Sequence, residues 1–478
     1  MTTKENFLFS SNRILESKYL APIVLFICGA FVIGTGYLNE VCEGGGDNYW
    51  HYYFSKYAPQ YPKFFLHHWG KPFFILLSTP FSQFGFFALN IFNILCGILS
   101  AWIAYCWCRK LNLAYSFAVI PMVLFAPVYF EVIQSALTEP LFSLLIILSA
   151  YLLFCEKYVW GAIIASFLLY TRSEGIFIIS IFFFYLLIIR KWKFIPLLAT
   201  GFILYSLAGY FSGHDFLWFF TENPYKEVSP YGHGEWNHFT KSYKKIFGVP
   251  FTFCFLIGLA LLFRQIYLNK AFLFWKSQSY SFKVFCLAFI PAAVFFLFHT
   301  YAWAEGKYAS AGLWRVMASI VPLMAIIGVF TINLLLRLKN STLRVLLLIS
   351  FIFLMVSSAF KYMKYPLKAE KDWKVAKEAA AWFKNYRQPG SVVYYGHVGI
   401  IFFCDYDPFN QLNIESFAFP ISNCQPQIPN KKFYYFWDSA LSESMYGHKL
   451  LDIEKCANLT KIKEFSEGDY KLIVFESK

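Results

Sequence analysis

The segment "EGGGDNYWHYYFSKY", residues 43–57, decides how this chain is read. An apolar run at 19–37 precedes it and another at 86–108 follows it. Each is close to the roughly 20 residues that an α-helix needs to cross a bilayer. A glycine-rich turn and a string of aromatics between two such runs read as a loop joining two membrane spans. The aromatics suit a helix at the membrane–water interface, and Asp47 after three glycines suits that helix's N-cap. A carboxylate held at that surface is also placed to act as a general base.

Outward from this segment the apolar pattern continues. Helices are expected at 19–37, 86–108, 115–134, 140–155, 158–171, 175–189, 194–211, 249–268, 283–300, 314–336 and 344–360. "KPFFILLSTPFSQFG", 71–85, is too short and too broken by Pro72 and Pro80 to span, and reads as a surface or re-entrant piece. The fold class is therefore an all-α polytopic membrane domain of about 11 transmembrane helices over 1–360, followed by a small soluble α/β domain over 361–478. In that tail "AEKDWKVAKEAAAWFKNY" is an amphipathic helix, "SVVYYG" and "KLIVFES" are strand-like, and "NKKFYYFWD" is a third strand candidate.

The composition agrees: 58% of residues are hydrophobic and 15% charged, where a soluble domain carries roughly a quarter charged. A net charge of +14 raises the question of a nucleic-acid partner. The basic residues form no single tract, so none is expected. They fall instead into short clusters: Lys4, Arg13 and Lys18; Arg109 and Lys110; Lys157; "RKWK" at 190–193; Arg264, Lys270 and Lys276; and "RLKNSTLR" at 337–344. By the positive-inside rule that side is cytoplasmic, with the N-terminus inside and the tail outside. The first helix is expected to remain as an anchor. No Cys/His zinc spacing occurs. Cys404, Cys424 and Cys456 share the tail, where an oxidising compartment would permit a disulfide whose pairing the sequence leaves open.

Four outer features carry polar chemistry. Asp47 is the first. In "SALTEPLF", Thr138, Glu139 and Pro140 meet at a corner, where capping is the plain reading. In "YTRSEGIF", Arg172 and Glu174 share a tight turn and suit a local salt bridge. Around "FHTYAWAEGKYASAGLWRVMASIVPLM" stand His299, Glu305, Lys307 and Arg315. An arginine at the head of an apolar span either snorkels to the interface or has an anion beside it. Two outer carboxylates with cations at a later helix fit a reaction in which an acceptor loses a proton and an anionic group departs. A lipid phosphate is such a leaving group, and arginine grips phosphate well.

"GGGDNYWHY", "HHWGKPFF", "TEPLF", "TRSEG" and "LWRVMASIVPLM", in that order and on one side, resemble integral-membrane glycosyltransferases of the GT-C superfamily. Within it, the chain resembles the bacterial protein O-mannosyltransferase and lipid A aminoarabinose transferase group. The resemblance covers roughly residues 20–335. It implies an inverting transfer of a sugar, hexosyl or mannosyl in kind, from a polyprenyl-phosphate carrier. The acceptor would be a lipid, glycan or protein on the non-cytoplasmic face of the bacterial cytoplasmic (inner) membrane. It implies catalytic roles for Asp47 and Glu139 and donor-phosphate roles for Arg315, Lys307 and His299. His51, His68, Lys71, Arg172 and Glu174 become cavity or acceptor residues. A single Asp47 stands where many relatives carry an Asp-Glu pair. No nucleotide loop is present. No organic cofactor is called for, and a divalent metal stays open, although two acids on separate loops are a weak ligand set for one. A transporter or lipid flippase is the alternative from another class, and a glycan polymerase or ligase a third. A transporter would place charges near mid-membrane, often in repeated halves, and neither is seen.

Overall fold

The computed structural model describes residues 19–225, 228–268, 279–335, 340–416, 419–425 and 431–478. Lys4, Arg13, Lys18, Lys270, Lys276 and residues 337–339 of the basic clusters lie outside the described residues. The chain divides into two compact units between Pro366 and Leu367.

The first unit is helical. Seven helices among the described residues are long and apolar enough to cross a membrane: Leu20–Leu38, Phe86–Lys110, Trp192–Phe211, Val249–Leu268, Tyr280–Ala304, Trp314–Leu334 and Thr342–Met363. The other expected spans are shorter, at Glu139–Phe154, Tyr158–Thr171 and Gly175–Ile188, or broken. The expected 115–134 helix splits into Val119–Leu124 and Pro127–Val132. Pro127 pushes the residue before it out of the helical region, and Ala126 accordingly has ψ 126°. Pro72–Ser82 is a helix of 11 residues whose Phe74, Ile75, Ser78 and Thr79 face inward, and Ser78 Oγ lies 2.7 Å from Ser55 Oγ.

Trp314–Leu334 is buried almost throughout and packs along Val249–Leu268. Gly258 makes that approach possible, because a Cβ there would lie 2.0 Å from the Ile327 carbonyl oxygen. Chain direction then sorts the polar residues. Glu139, Thr171, Gly175, Ala304 and Trp314 are helix ends at one side of the bundle. Lys110, Lys157 and Arg190 follow from the opposite ends of these helices, where Lys283 Nζ meets Glu156 Oε1 at 2.6 Å.

The second unit is a five-stranded sheet with a helix against it. Strands β1 (Val392–Tyr395), β2 (Ile414–Ser416), β3 (Phe433–Asp438), β4 (Leu459–Glu467) and β5 (Tyr470–Ser477) lie in the order β2-β1-β3-β5-β4. β1 is parallel to β2 and β3, while β5 is antiparallel to β3 and β4. The Lys371–Tyr386 helix buries Val375, Ala376, Ala379, Ala380 and Phe383, and the Phe383 ring stands edge-on to Tyr434 and Phe436. The sequence pattern locates β1, β3 and β5 but neither the three-residue β2 nor β4, whose "LTKIKEFSE" reads as polar because it is an edge strand with lysines toward solvent. Cys424 and Cys456 are joined as a disulfide, whereas Cys404 is buried and free.

Candidate active site

Three consecutive glycines with positive φ, Gly44 to Gly46, turn the chain into the Asp47–Tyr57 helix. Gly46 is the cap and Asp47 the first helical residue, with no side-chain capping bond. The expectation of an aspartate N-cap is thereby corrected: the turn needs left-handed residues, which glycine supplies without strain. The helix is no surface helix either. Tyr49, His51, Tyr52 and Tyr53 are buried, and Tyr49 stacks on Phe86 at 4.7 Å.

Freed from capping, the Asp47 carboxylate accepts a hydrogen bond from Arg315 Nη2. Arg315 Nη1 donates to the Gly44 carbonyl at 3.1 Å, and its Nε lies 3.7 Å from Glu139 Oε1. Glu139 is also 2.8 Å from Arg172 Nη1. Arg172 donates to Thr138 Oγ1 at 3.1 Å and to Glu174 Oε1 at 2.9 Å. His299 Nε2 closes the row, 3.3 Å from Glu174 Oε1. The order Asp47, Arg315, Glu139, Arg172, Glu174, His299 alternates acidic and basic groups along one line. Burial would raise the Glu174 carboxyl, but Arg172 and His299 hold it well below the usual carboxylate range. Burial likewise opposes the Arg172 charge, and Glu174 with Glu139 outweighs it, raising that pKa further.

Exposure separates the two proposed catalytic acids. The Glu139 side chain is 3% exposed and held by two arginines, whereas that of Asp47 is 41% exposed. Of the two, only Asp47 is open to an incoming hydroxyl, while Glu139 is closed inside the network.

Lys71 adjoins this row. A bond from the Gly70 N–H to His67 Nδ1 shapes the turn before it, and Lys71 itself adopts φ 66°. Its Nζ donates to Ser173 Oγ at 2.9 Å and lies 4.6 Å from the centre of the Tyr225 ring. It has no carboxylate partner among the described residues. Burial pulls its pKa down to about 7, Glu174 offsetting this in part and Arg172 adding to it.

The two histidines of the first loop have other surroundings. His51 stacks on Trp69 at 4.8 Å and is pushed down to about 3, first by burial and then by Arg315, Arg172 and Lys71. It is a neutral ring behind the cations. His68 stacks on Phe219 at 4.2 Å, and its Nε2 lies 2.8 Å from the Phe219 carbonyl oxygen. Burial takes it down to about 4, so it fastens the 212–247 loop as a neutral group. Lys307 does not join the row: it is half-buried and donates to the Tyr301 hydroxyl at 2.9 Å. Ser173 and Tyr225 were not singled out from sequence. Ser173 lies inside "TRSEG", but Tyr225 sits in a loop without any pattern. Among the described residues no group of three or more His, Cys, Asp or Glu side chains is placed to hold a metal ion.

No family model matches this chain, and no curated protein gives a significant match. Solved structures do match it. ArnT from Cupriavidus metallidurans bound to undecaprenyl phosphate aligns over 96% of this chain and 97% of its own, with a TM-score of 0.60 at 10% identity. The same protein in the apo state aligns over 95% and 97%, with a TM-score of 0.63 and again 10% identity. The chain thus shares its fold with these ArnT structures over nearly its whole length.

Proposed function

We propose that this chain is a membrane glycosyltransferase that moves a sugar from a polyprenyl-phosphate carrier to an acceptor hydroxyl on the non-cytoplasmic face, with inversion. The observation that carries this reading is the placing of one accessible carboxylate, Asp47, on the charged row and of one buried cation without a carboxylate partner among the described residues, Lys71, beside it. The fold supports it, since the similar ArnT structure is bound to undecaprenyl phosphate.

In the reaction the acceptor oxygen attacks the anomeric carbon from the face opposite the phosphate. The new C–O bond forms as the bond from that carbon to the phosphate oxygen breaks, and its electron pair leaves with the lipid phosphate. The acceptor's proton passes to Asp47. Lys71 and Arg315 offset the charge that collects on the phosphate, the kind of electrostatic assistance that dominates many enzymatic barriers. Glu139 and Arg172 position Arg315 and touch no reacting atom. Incubating the purified protein with a panel of polyprenyl-phosphate sugars should release lipid phosphate from at least one. Solute-coupled uptake into vesicles with no such release would replace this reading by a transporter.

Two donor-side results are expected. Arg315→Ala should weaken donor binding by about ten- to a hundredfold, the range for one charged hydrogen bond, and Arg315→Lys should restore only part of it. Lys71 should make donor affinity depend on pH. A lysine with its pKa near 7 is charged below that value and neutral above it, so affinity should fall as pH rises through about 7. A sugar-loaded phosphodiester is the right probe, because it has no proton of its own to lose in this range. Lys71→Arg should flatten the profile, and a profile in Lys71→Arg that still falls near pH 7 would place the titrating group elsewhere.

The tail supports the outward side. A disulfide between Cys424 and Cys456 persists in oxidising compartments and is rare in the cytoplasm. The described basic residues Arg109, Lys110, Lys157, Arg190, Lys191 and Lys193 lie at the ends opposite the charged row, the cytoplasmic ends by the positive-inside rule. A cysteine introduced into the 190–193 loop should resist a membrane-impermeant maleimide in intact cells, and one introduced at exposed Lys384 should react. The reverse pattern would invert the topology.

A further inference from the structure

We infer that Arg315 is a latch on the base: it holds Asp47 in the donor-free protein and gives it up when the donor phosphate arrives. The inference rests on the donor reading above.

Arg315 divides its two Nη groups between two separate acceptors. Nη2 serves Asp47, Nη1 serves the Gly44 carbonyl, and the buried Nε–H has no hydrogen bond, with Glu139 at 3.7 Å. A phosphate offers what this arrangement withholds, two oxygens matched to the guanidinium fork. Of the two carboxylates beside Arg315, Asp47 can let go more readily. At 41% exposed it regains water, and Glu139 has no such recourse at 3%. Glu139 nonetheless stays compensated throughout, because Arg172 is 2.8 Å away.

The charges point the same way. With His299 set aside, three carboxylates, Asp47, Glu139 and Glu174, stand against three cations, Arg172, Arg315 and Lys71. A donor phosphodiester adds one negative charge and must draw cations toward itself. Lys71 is available at once, and the second is Arg315. During transfer Asp47 takes up the acceptor's proton and becomes neutral while the departing phosphate gains a charge, so the row's net charge does not change. The latch therefore imposes an order. The base is free to accept a proton only when the leaving group is seated, which guards a reactive donor site against idle chemistry.

The test labels carboxyl groups on the purified full-length protein with a small water-soluble carbodiimide and an amine, reading Asp47 by mass spectrometry. Polyprenyl phosphate without sugar is the probe, and its binding is followed separately by native mass spectrometry. Saturating lipid phosphate should raise Asp47 labelling by about tenfold or more, Glu139 staying unlabelled, and Arg315→Gln should label at the fast rate without lipid. Asp47→Asn, which removes the competing carboxylate, should bind polyprenyl phosphate about tenfold more tightly than the native protein. If the lipid binds but Asp47 labelling does not rise, or if Arg315→Gln labels as slowly as the native protein, the latch is wrong and the donor reading stands. Unchanged or weaker lipid affinity in Asp47→Asn also overturns it. If polyprenyl phosphate does not bind the native protein at all, the donor reading falls and the latch falls with it.

Discussion

Asp47→Asn is expected to fold normally and bind the lipid donor, yet lose on the order of 10²–10⁴ in turnover, the usual cost of removing a general base. The substitution keeps the size and shape of the side chain and leaves the helix start intact, since Gly46 and not Asp47 provides the cap. What it removes is the proton acceptor and the charge facing Arg315. Turnover should be measured at saturating donor, so that altered donor affinity does not enter the comparison. Retention of more than about a tenth of native turnover would be too small a loss for a general base and would move the search for the base away from this residue. Glu139 would be a poor successor, because its carboxylate is buried between two arginines.

Arg172→Met should have the largest effect on stability. The guanidinium links Glu139, Glu174 and the Thr138 hydroxyl, and only 14% of its side chain is exposed. Removing it leaves two buried carboxylates without their principal partner, and breaking a buried pair from one side costs about 3–5 kcal/mol. Denaturation of the detergent-solubilised protein should show a loss of that size, with Arg172→Lys between the two. A loss below about 1 kcal/mol would mean that water reaches the row and compensates the carboxylates, as at an exposed ion pair.

Much of the site was visible as parts. Asp47 and Glu139 stand out as acids at helix starts on outer loops, Arg172 and Glu174 as a charged turn, and Arg315, near His299, as a cation at the head of an apolar span, where charge is costly and needs a reason. Their partners were not visible. Arg172 and Glu174 read as a local turn pair, which they are at 2.9 Å, but Arg172 also reaches Glu139 in another helix. Lys71 and Lys307 look alike in sequence. Burial separates them: one is enclosed beside Ser173 and Tyr225, and the other is only partly covered, against Tyr301.

The sequence by itself determined that the chain is a polytopic helical membrane protein with a small α/β tail, because hydropathy and strand alternation are properties of consecutive residues. It also determined which loops carry charge, since span order assigns each loop a side. The tertiary structure decided that Ala126 and Pro127 break one expected span, that Gly46 caps the first-loop helix, and that Asp47 meets Arg315 across 268 positions of sequence. Such a pair depends on how helices far apart in the chain are packed and rotated, and no window of neighbouring residues contains that information. The same packing sets burial, which leaves Asp47 open to solvent and closes Glu139 between two guanidinium groups.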